Sequence, residues 1–335
     1  MSQAEFEIIQ RYFEESDLSF PKKGVELGIG DDAAVLEIPE QRLLCISMDA
    51  LVAGVHFPNS ANPEDIANRA LAVNLSDMAA MGAEPFCFTL GLVMPEKNTS
   101  WLQRFSDGLL SLAQQFNCPL VGGDVTEGPL SVVIQVHGLN EPGSIIYRDG
   151  AQPGDRIYVT GYLGDGAIAL AAIGAKSHLE KFLGLMEENL TKTCKAYFRA
   201  AYYYPVPRVA IASQSCQLVS SGIDISDGLL GDLGHITEAS KVGAKLQTHL
   251  IPYSKSAMCC ATADNRLRAA LFGGDDYELC LTVPDIHVEA FERLAAGTEV
   301  RVTCIGEIVA GNSIECRDKK GTLLQTNDHA YEHFL

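Results

Sequence analysis

Positively charged side chains are scarce in this 335-residue sequence. Lys and Arg number 25 against 43 Asp and Glu, which gives a formal net charge of −18 at pH 7. Nucleic acids and anionic membranes both bind through positive surfaces, so this balance argues against either as the main partner. Small anionic substrates stay compatible with the composition, because a divalent cation can join acidic side chains to phosphate groups.

Sequence features that would mark other classes of protein are also missing. There is no run of about eighteen apolar residues, so no membrane span is expected. The segment Met1–Glu7 has neither the basic nor the apolar region of a secretory signal. The ten cysteines form no C-x-x-C motif and no zinc spacing with His, which indicates reduced and mostly buried thiols. We therefore expect a cytoplasmic protein.

The common nucleotide-binding and catalytic motifs are absent as well. The sequence has no G-x-x-x-x-G-K-[ST] loop, no H-R-D or D-F-G kinase set and no G-x-S-x-G elbow. Gly28-Ile29-Gly30 lacks the third glycine of a dinucleotide-binding fingerprint and leads into a predicted strand. Any nucleotide chemistry must therefore depend on carboxylates and Mg²⁺.

Predicted strands and helices alternate along both halves of the chain. Apolar periodicity predicts strands at 33–38, 43–48, 86–93, 130–139, 156–160, 219–224, 279–283 and 300–308. It predicts helices at 63–81, 100–116, 164–173, 179–201, 208–215, 228–240 and 286–296, after a first helix around 6–13. Helix-breaking residues concentrate between about 140 and 155. We predict a mixed α/β fold of two α/β domains, at residues 1–142 and 150–335.

Acidic residues recur at glycine turns and at the ends of predicted strands. They occur in Gly30-Asp31-Asp32, Ser47-Met48-Asp49, Leu75-Ser76-Asp77, Gly122-Gly123-Asp124, Asp224-Ile225-Ser226-Asp227-Gly228 and Gly273-Gly274-Asp275-Asp276. Asp49, Asp124 and Asp224 each follow an apolar strand, where α/β sheets gather ligands. Any one of these acids alone is more readily a cap or a turn residue. A cluster of carboxylates, however, is tolerated when divalent cations neutralise it.

Two basic side chains lie close to these acids along the chain. His56 follows soon after Asp49, and Arg148 stands at the predicted junction between the domains. Arg148 suits bidentate contact with a phosphate, although a surface charge in a loop is an equal interpretation. His56 taken alone is more readily a structural histidine.

The ordered set of motifs resembles the thiamine-monophosphate kinase family, whose superfamily includes aminoimidazole ribonucleotide synthetase and selenophosphate synthetase. The resemblance spans roughly residues 5–310 and is carried by residues 28–33, 47–57, 74–83, 122–124, 159–161, 224–229 and 273–279. It implies ATP-dependent phosphorylation of thiamine phosphate to thiamine diphosphate in a cleft between the two domains. It also implies a homodimer in which the N-terminal domain sheet pairs with its copy.

The resemblance also implies roles for individual residues. A platform for several Mg²⁺ ions would use Asp32, Ser47, Met48 through its backbone carbonyl, Asp49, Asp77, Asp124, Asp224 and Asp227. ATP would contact Gly123, Asp124, Arg148 and Ser226, and thiamine phosphate would contact His56 and Asp275. The family usually has Thr at the position of Met48 and Glu at that of Asp275. No catalytic group beyond the metal platform is expected, because the substrate phosphate is already anionic near neutral pH.

Two alternatives stay open at this stage. One is another ATP-using member of the superfamily, which the long matches at 47–57 and 74–83 disfavour. A selenophosphate synthetase would carry a reactive Cys near its N-terminus, and residues 1–30 contain none. The other is a non-catalytic nucleotide-binding protein, which would have no need of so many carboxylates in apposition.

Overall fold

The computed structural model describes residues 3–173, 186 and 189–324, and these form two compact units. The first unit comprises the described residues up to Met78 together with Ala83–Gly143. The second comprises Ala79–Gly82 together with the described residues from Ser144 onward. Each unit contains its own sheet and helices, so the predicted mixed α/β fold class is confirmed.

The elements of the first unit alternate between strands and helices. In chain order they are α1 (Gln3–Ile9), β1 (Val25–Leu27), β2 (Val35–Leu36), β3 (Leu43–Val52), α2 (Pro63–Ala80), β4 (Glu84–Met94), α3 (Thr99–Gln115), β5 (Leu120–Glu127) and β6 (Ser131–Asn140). A π-helical turn, Gln10–Glu14, continues α1. The main sheet has the order β3-β6-β4-β5, with β3 at an edge. In this sheet β4 and β5 run parallel and the pairs β3–β6 and β4–β6 antiparallel, while β1 and β2 form a separate antiparallel pair.

Local signals set the limits of the long helices. Pro63 stands at the first position of α2, and Glu64 and Asp65 in its first turn interact favourably with the helix dipole. The helix ends before Gly82, which adopts a left-handed φ of +66°. α3 begins after Asn98, whose side-chain oxygen accepts a 3.0 Å hydrogen bond from the Trp101 N–H.

The second unit contains a larger sheet with helices on both faces. Its elements are β7 (Arg156–Thr160), α4 (Asp165–Ala172), α5 (Lys192–Tyr203), α6 (Val209–Ser215), β8 (Ser221–Ile225), α7 (Leu229–Ser240), β9 (Gly243–Gln247), α8 (Lys255–Cys260), α9 (Ala263–Phe272), β10 (Glu278–Val283), α10 (Val288–Ala296), β11 (Val302–Val309) and β12 (Ile314–Arg317). The strand order is β12-β9-β11-β7-β10-β8, and only β12 and β9 run parallel. Leu279 and Leu281 of β10 pack in one apolar cluster and Cys280 in the other, so both faces of this central strand are buried.

Several predicted boundaries differ from the structure. Asp49, Asp124 and Asp224 lie inside β3, β5 and β8, so the prediction that they follow the ends of strands is wrong. For Asp49 the antiparallel pairing of β3 with β6 explains the difference, because such a strand can carry polar side chains along one face. The strands β9 and β12 and the helices α8 and α9 were not predicted. The predicted helix at 179–201 begins outside the described residues.

No helix in the described part of the chain has both the length and the apolar content that a membrane crossing requires.

A close approach between α2 and α3 yields a stability prediction. A Cβ atom on Gly108 of α3 would lie 2.7 Å from Glu64 Cα and 2.9 Å from Glu64 O. We expect Gly108→Ala to destabilise the protein by about 1–3 kcal/mol, because the two helices must move apart. The measurement is the midpoint of thermal unfolding.

The matched control is Gly234→Ala in α7, where an added Cβ would meet no atom within 4 Å. Alanine there should stabilise the chain by about 0.5–1 kcal/mol, because it lowers the entropy cost of forming the helix. A Gly108→Ala variant as stable as the original chain would contradict the packing described for α2 and α3.

Candidate active site

In the first unit, three of the predicted site residues, Ser47, Asp49 and Asp77, lie close together where β3 packs against α2. Ser47 and Asp49 lie two positions apart on β3, so both side chains project from the same face. Ser47 Oγ donates a 2.5 Å hydrogen bond to Asp77 Oδ2. The Asp49 N–H donates a 3.1 Å bond to the side-chain oxygen of Asn74, which shares a face of α2 with Asp77. These four residues are called the β3–α2 group below.

The two carboxylates of the β3–α2 group repel each other. Burial raises the pKa of Asp49 from 3.8 to about 6, and the negative charge of Asp77 adds to the shift. Nowhere in residues 3–173, 186 and 189–324 are three or more His, Cys, Asp or Glu side chains grouped to hold a metal ion by themselves. Mg²⁺ often takes only one or two carboxylates and completes its shell with water and phosphate oxygens, so these donors fit that ion.

Met48 points to the opposite face of β3 from its two neighbours. Its side chain is 59% exposed, and those of Leu44 and Ile46 on the same face are 41% and 54% exposed. These three residues are called the outer face of β3 below. The Met48 side chain is therefore separate from the β3–α2 group, and only its backbone carbonyl is left for the predicted metal contact.

A cavity of about 700 Å³ in the first unit is lined by Asp32, Gly123 and Asp124, together with residues of the loop 28–34 and of α1. Its volume lies in the range of small-molecule sites. Gly123 has a φ of +155°, and a Cβ there would lie 2.0 Å from Leu90 O, so only glycine fits at this position. The structure thus brings the predicted metal ligands Asp32 and Asp124 to one cavity with the predicted ATP contact Gly123.

His56 is held by the end of β3. The Val52 N–H donates a 3.0 Å hydrogen bond to His56 Nδ1, and the His56 N–H donates a 2.9 Å bond back to the Val52 carbonyl. Because Nδ1 accepts, the proton of the neutral imidazole is assigned to Nε2. Nε2 is therefore a donor, as a contact to a phosphate oxygen requires.

In the second unit, the turn after β8 carries Ser226 and Asp227. The N–H groups of both residues donate 3.1 Å hydrogen bonds to Asp232 Oδ2 at the start of α7. Burial raises the pKa of Asp232 to about 7, and the charge of Asp227 contributes. Asp224 lies two residues before Ser226, within β8, and is 5% exposed. It is paired with Leu279 of the neighbouring strand β10.

The structure also brings Asp275 beside Ser226. The Asp275 N–H donates a 2.9 Å hydrogen bond to the Ser226 carbonyl, and Tyr277 Oη donates a 3.3 Å bond to Asp275 Oδ1. Asp275 has a left-handed φ of +71°, which is unusual for a residue with a side chain. Arg148 is exposed, and its backbone carbonyl accepts a 3.3 Å hydrogen bond from Ser240 Oγ.

Two residues that organise these groups were not assigned roles from the sequence. Asn74 orients Asp49, and Asp232 orients the turn that carries Ser226 and Asp227. The signal for Asn74 was its spacing of three residues from Asp77 on a predicted helix. The signal for Asp232 was an acid in the first turn of a helix, which is also an ordinary helix-stabilising position.

Comparison with known proteins identifies the class of protein. Residues 30–140 match the AIR synthase related protein, N-terminal domain, and residues 152–319 match the AIR synthase related protein, C-terminal domain. The chain therefore belongs to the AIR synthase related proteins.

Individual relatives narrow the assignment. The chain is 41% identical to thiamine-monophosphate kinase of Escherichia coli (strain K12) over 338 aligned positions, covering 100% of this chain and 99% of that protein. The crystal structure of thiamine-monophosphate kinase from Stenotrophomonas maltophilia K279a is 38% identical, with a TM-score of 0.83 and coverage of 94% and 97% of the two chains. AaThiL complexed with AMPPCP and TMP is 27% identical, with a TM-score of 0.75 and coverage of 91% and 92%.

Within that class, the chain belongs to the thiamine-monophosphate kinase family. The family predicted from the sequence motifs is confirmed, and so is the expectation of a kinase.

The β3–α2 group predicts the effect of one substitution. Asp77→Asn keeps the size of the side chain and an oxygen that can accept the Ser47 hydroxyl, but it removes one of two adjacent negative charges. We expect kcat to fall by about a hundredfold to a thousandfold, with little change in the thermal unfolding midpoint. Steady-state kinetics and thermal unfolding check the two expectations.

Asp107→Asn on α3 is the control, because Asp107 is an exposed carboxylate that accepts a 2.9 Å hydrogen bond from a glutamine amide, Gln103 Nε2. It should leave both kcat and stability unchanged. Near-normal kcat in Asp77→Asn would show that the β3–α2 group does not carry the reaction.

Proposed function

We propose that this chain transfers the γ-phosphoryl group of ATP directly to the phosphate of thiamine monophosphate. A phosphate oxygen of thiamine monophosphate forms the new bond to the γ-phosphorus, and the bond from that phosphorus to the β,γ-bridging oxygen breaks. The products are thiamine diphosphate and ADP. The observation that carries the proposal is 41% identity along the whole chain to thiamine-monophosphate kinase of Escherichia coli.

The nucleophile needs no general base. The second pKa of a phosphate monoester is about 6, so the attacking oxygen is already anionic near neutral pH. Two anions must instead be brought together in line, and positioning with charge neutralisation dominates such reactions.

Carboxylates of both units are proposed to hold Mg²⁺. In the first unit these are Asp49 and Asp77 with Ser47, and Asp32 with Asp124 at the cavity. In the second unit they are Asp224 and Asp227. Bound Mg²⁺ would neutralise charge on the phosphates of the two substrates. A bound cation would favour the ionised form of Asp49, whose pKa is raised to about 6 by burial and by the negative charge of Asp77.

The cavity of about 700 Å³ is proposed to receive part of ATP. The complex of AaThiL with AMPPCP supports an ATP site in a chain of this family. Gly123 lets the β5 backbone pack directly against Leu90 of β4, which places Gly123 and Asp124 in the lining of the cavity. Ser226 and Arg148 of the second unit are proposed as further ATP contacts, with Arg148 suited to bidentate binding of a phosphate.

Thiamine monophosphate is proposed to contact His56 and Asp275. The Nε2–H group of His56 can donate to a phosphate oxygen while its Nδ1 is fixed by the Val52 N–H. Asp275 is a shorter carboxylate than the Glu usual in the family, so a bridging water is expected in its contact.

A homodimer is proposed to form through the outer face of β3. Leu44, Ile46 and Met48 leave an apolar row on an edge strand that is ten residues long. Long apolar edge strands are normally covered, because they would otherwise pair with other chains. A second copy of the same sheet would cover the row on both partners at once.

A cytoplasmic location is also proposed. Each of the ten cysteines is a free thiol, and six of them are buried. Free thiols on this scale are typical of a reducing compartment.

The reaction itself can be tested with ATP, Mg²⁺ and thiamine monophosphate, using chromatography to detect thiamine diphosphate. We expect product from thiamine monophosphate and none from free thiamine, because free thiamine lacks the phosphate oxygen that attacks. Rapid quenching with γ-labelled ATP should trap no phosphorylated protein. Label on His56 or on any Asp would rule out direct transfer, and product from neither acceptor would rule out the proposed substrate.

The dimer can be tested by placing charge on the outer face of β3. Ile46→Arg should shift the mass in light scattering from twice the chain mass of 36.1 kDa to the chain mass itself, because arginines on both copies would repel within the interface. Ile286→Arg is the control, since Ile286 is 85% exposed in the second unit. An original chain that is monomeric, or an Ile46→Arg variant that stays dimeric, would overturn the proposed interface.

A further inference from the structure

The segment Gly273–Tyr277, which joins α9 to β10, has an unusual backbone. Asp275 has a φ of +71° and Tyr277 a φ of +49°, so both residues flanking Asp276 are left-handed although neither is a glycine. Such conformations are unfavourable for residues with a Cβ atom. They persist only where the surroundings fix them, and they concentrate at functional sites.

Backbone hydrogen bonds provide part of the restraint on this segment. The Asp275 N–H donates to Ser226 O at 2.9 Å, and the Tyr277 N–H donates to Ile225 O at 2.8 Å. Close packing adds to it, since a Cβ on Gly274 would lie 2.0 Å from Ser226 O. These contacts would be available to many sequences, because they use main-chain atoms alone.

The Asp276 carboxylate supplies the restraint that depends on a side chain. Its Oδ2 accepts a 2.7 Å hydrogen bond from the Gly164 N–H, and its Oδ1 accepts a 3.0 Å bond from the Gly166 N–H. Both donors belong to the start of α4, where N–H groups lack partners within the helix and favour negative charge. Both carboxylate oxygens are engaged, so an amide of the same shape would set its NH₂ group against one of the two donors.

The same contact fixes the neighbouring residue against α4. A Cβ on Gly166 would lie 2.3 Å from Asp275 O, so the backbone of Asp275 rests directly on the first turn of that helix. Asp275 is thereby held between α4 and the Ser226 carbonyl. A shift of the segment by an ångström would move the Asp275 carboxylate by at least as much.

We propose that Asp276 is a positioning residue for thiamine monophosphate, because its two bonds to α4 hold Asp275 in the left-handed conformation that sets the substrate contact. Asp276 itself does not touch the substrate. The inference rests on the proposed function, which assigns Asp275 to that substrate. It predicts that loss of the Asp276 carboxylate weakens substrate binding selectively, rather than lowering stability alone.

The test is Asp276→Asn, with KM for thiamine monophosphate, KM for ATP, kcat and the thermal unfolding midpoint all measured. Displacement of a contact by about 1 Å costs up to about a hundredfold, so we expect KM for thiamine monophosphate to rise by about tenfold or more. KM for ATP should change by less than about threefold, because the hydrogen bond from the Ser226 N–H to Asp232 does not involve the displaced segment.

Asp155→Asn is the matched control. Asp155 is a buried carboxylate of the same unit that accepts a 2.9 Å hydrogen bond from the Gln152 N–H and a 2.5 Å bond from Ser220 Oγ. A neutral amide oxygen is a weaker acceptor than the charged carboxylate, so this variant should lower the unfolding midpoint without raising KM for thiamine monophosphate. If Asp276→Asn behaves in the same way as Asp155→Asn, the proposed positioning role is overturned.

A second variant keeps the test decisive if Asp276→Asn does not fold. Asp276→Ser retains one small acceptor and should give the same selective rise in KM, and unchanged KM would overturn the inference. The activity of the original chain distinguishes failure of the proposed function from failure of the positioning role. If it makes no thiamine diphosphate, the proposed function fails, whereas an active original chain with unaffected Asp276 variants rejects only the positioning role.

Discussion

In each unit, the predicted site residues depend on hydrogen bonds to uncharged groups, which hold the acidic residues in place. In the first unit this is achieved by a hydroxyl, since Ser47 donates to Asp77, and by an amide that fixes the backbone of Asp49. In the second unit, main-chain N–H groups have this role: two of them donate to the carboxylate of Asp232 and two to that of Asp276. Dipoles stabilise the acids in place without cancelling their charge.

This arrangement allows the acidic residues to be held in place by the fold before a divalent cation binds to them. A carboxylate neutralised by Lys or Arg would be satisfied permanently and would bind a divalent ion poorly. Carboxylates held by hydroxyl and N–H groups keep their negative charge available to cations, while burial and the charge of Asp77 raise the pKa of Asp49 to about 6. The strongly bonded ion pair between Arg208 and Glu278, where Arg208 Nε lies 2.6 Å from Glu278 Oε2, shows the contrasting case of a carboxylate used for structure.

Local signals made helix α2 predictable from the sequence. Pro63, the acids that follow it and Gly82 predicted α2 almost to the residue, and hence the placement of Asp77 on a helix. The end of β3 was missed because Asp49 was interpreted as a residue beyond the strand, whereas it lies within β3 on the same face as Ser47. That distinction depends on the antiparallel partner β6, in which the residue paired with Asp49 is Ile134, 85 positions later in the sequence.

Contacts that depend on distant parts of the chain could not have been predicted. β9 carries Lys245 and Gln247 among few apolar residues, and it forms a strand because β11 and β12 flank it. The role of Asp276 depends on two N–H groups more than a hundred positions earlier in the chain, separated from it by 112 and 110 residues. The sequence motif marked this aspartate as one of a pair, but nothing local distinguishes it from Asp275.

The path of α2 bears on how the protein could be divided. Most of this helix belongs to the first unit, yet Ala79–Gly82 belongs to the second, where Ala79 and Ala80 pack in one cluster with Ile146 and Phe291. If the chain were cut at the glycine- and proline-rich stretch after residue 140, the N-terminal fragment would therefore contain Ala79 and Ala80, and the C-terminal fragment would lack them from its core. Separately expressed halves should each be poorly soluble, and co-expression of the two pieces is the sensible route for anyone labelling one half of the chain for spectroscopy.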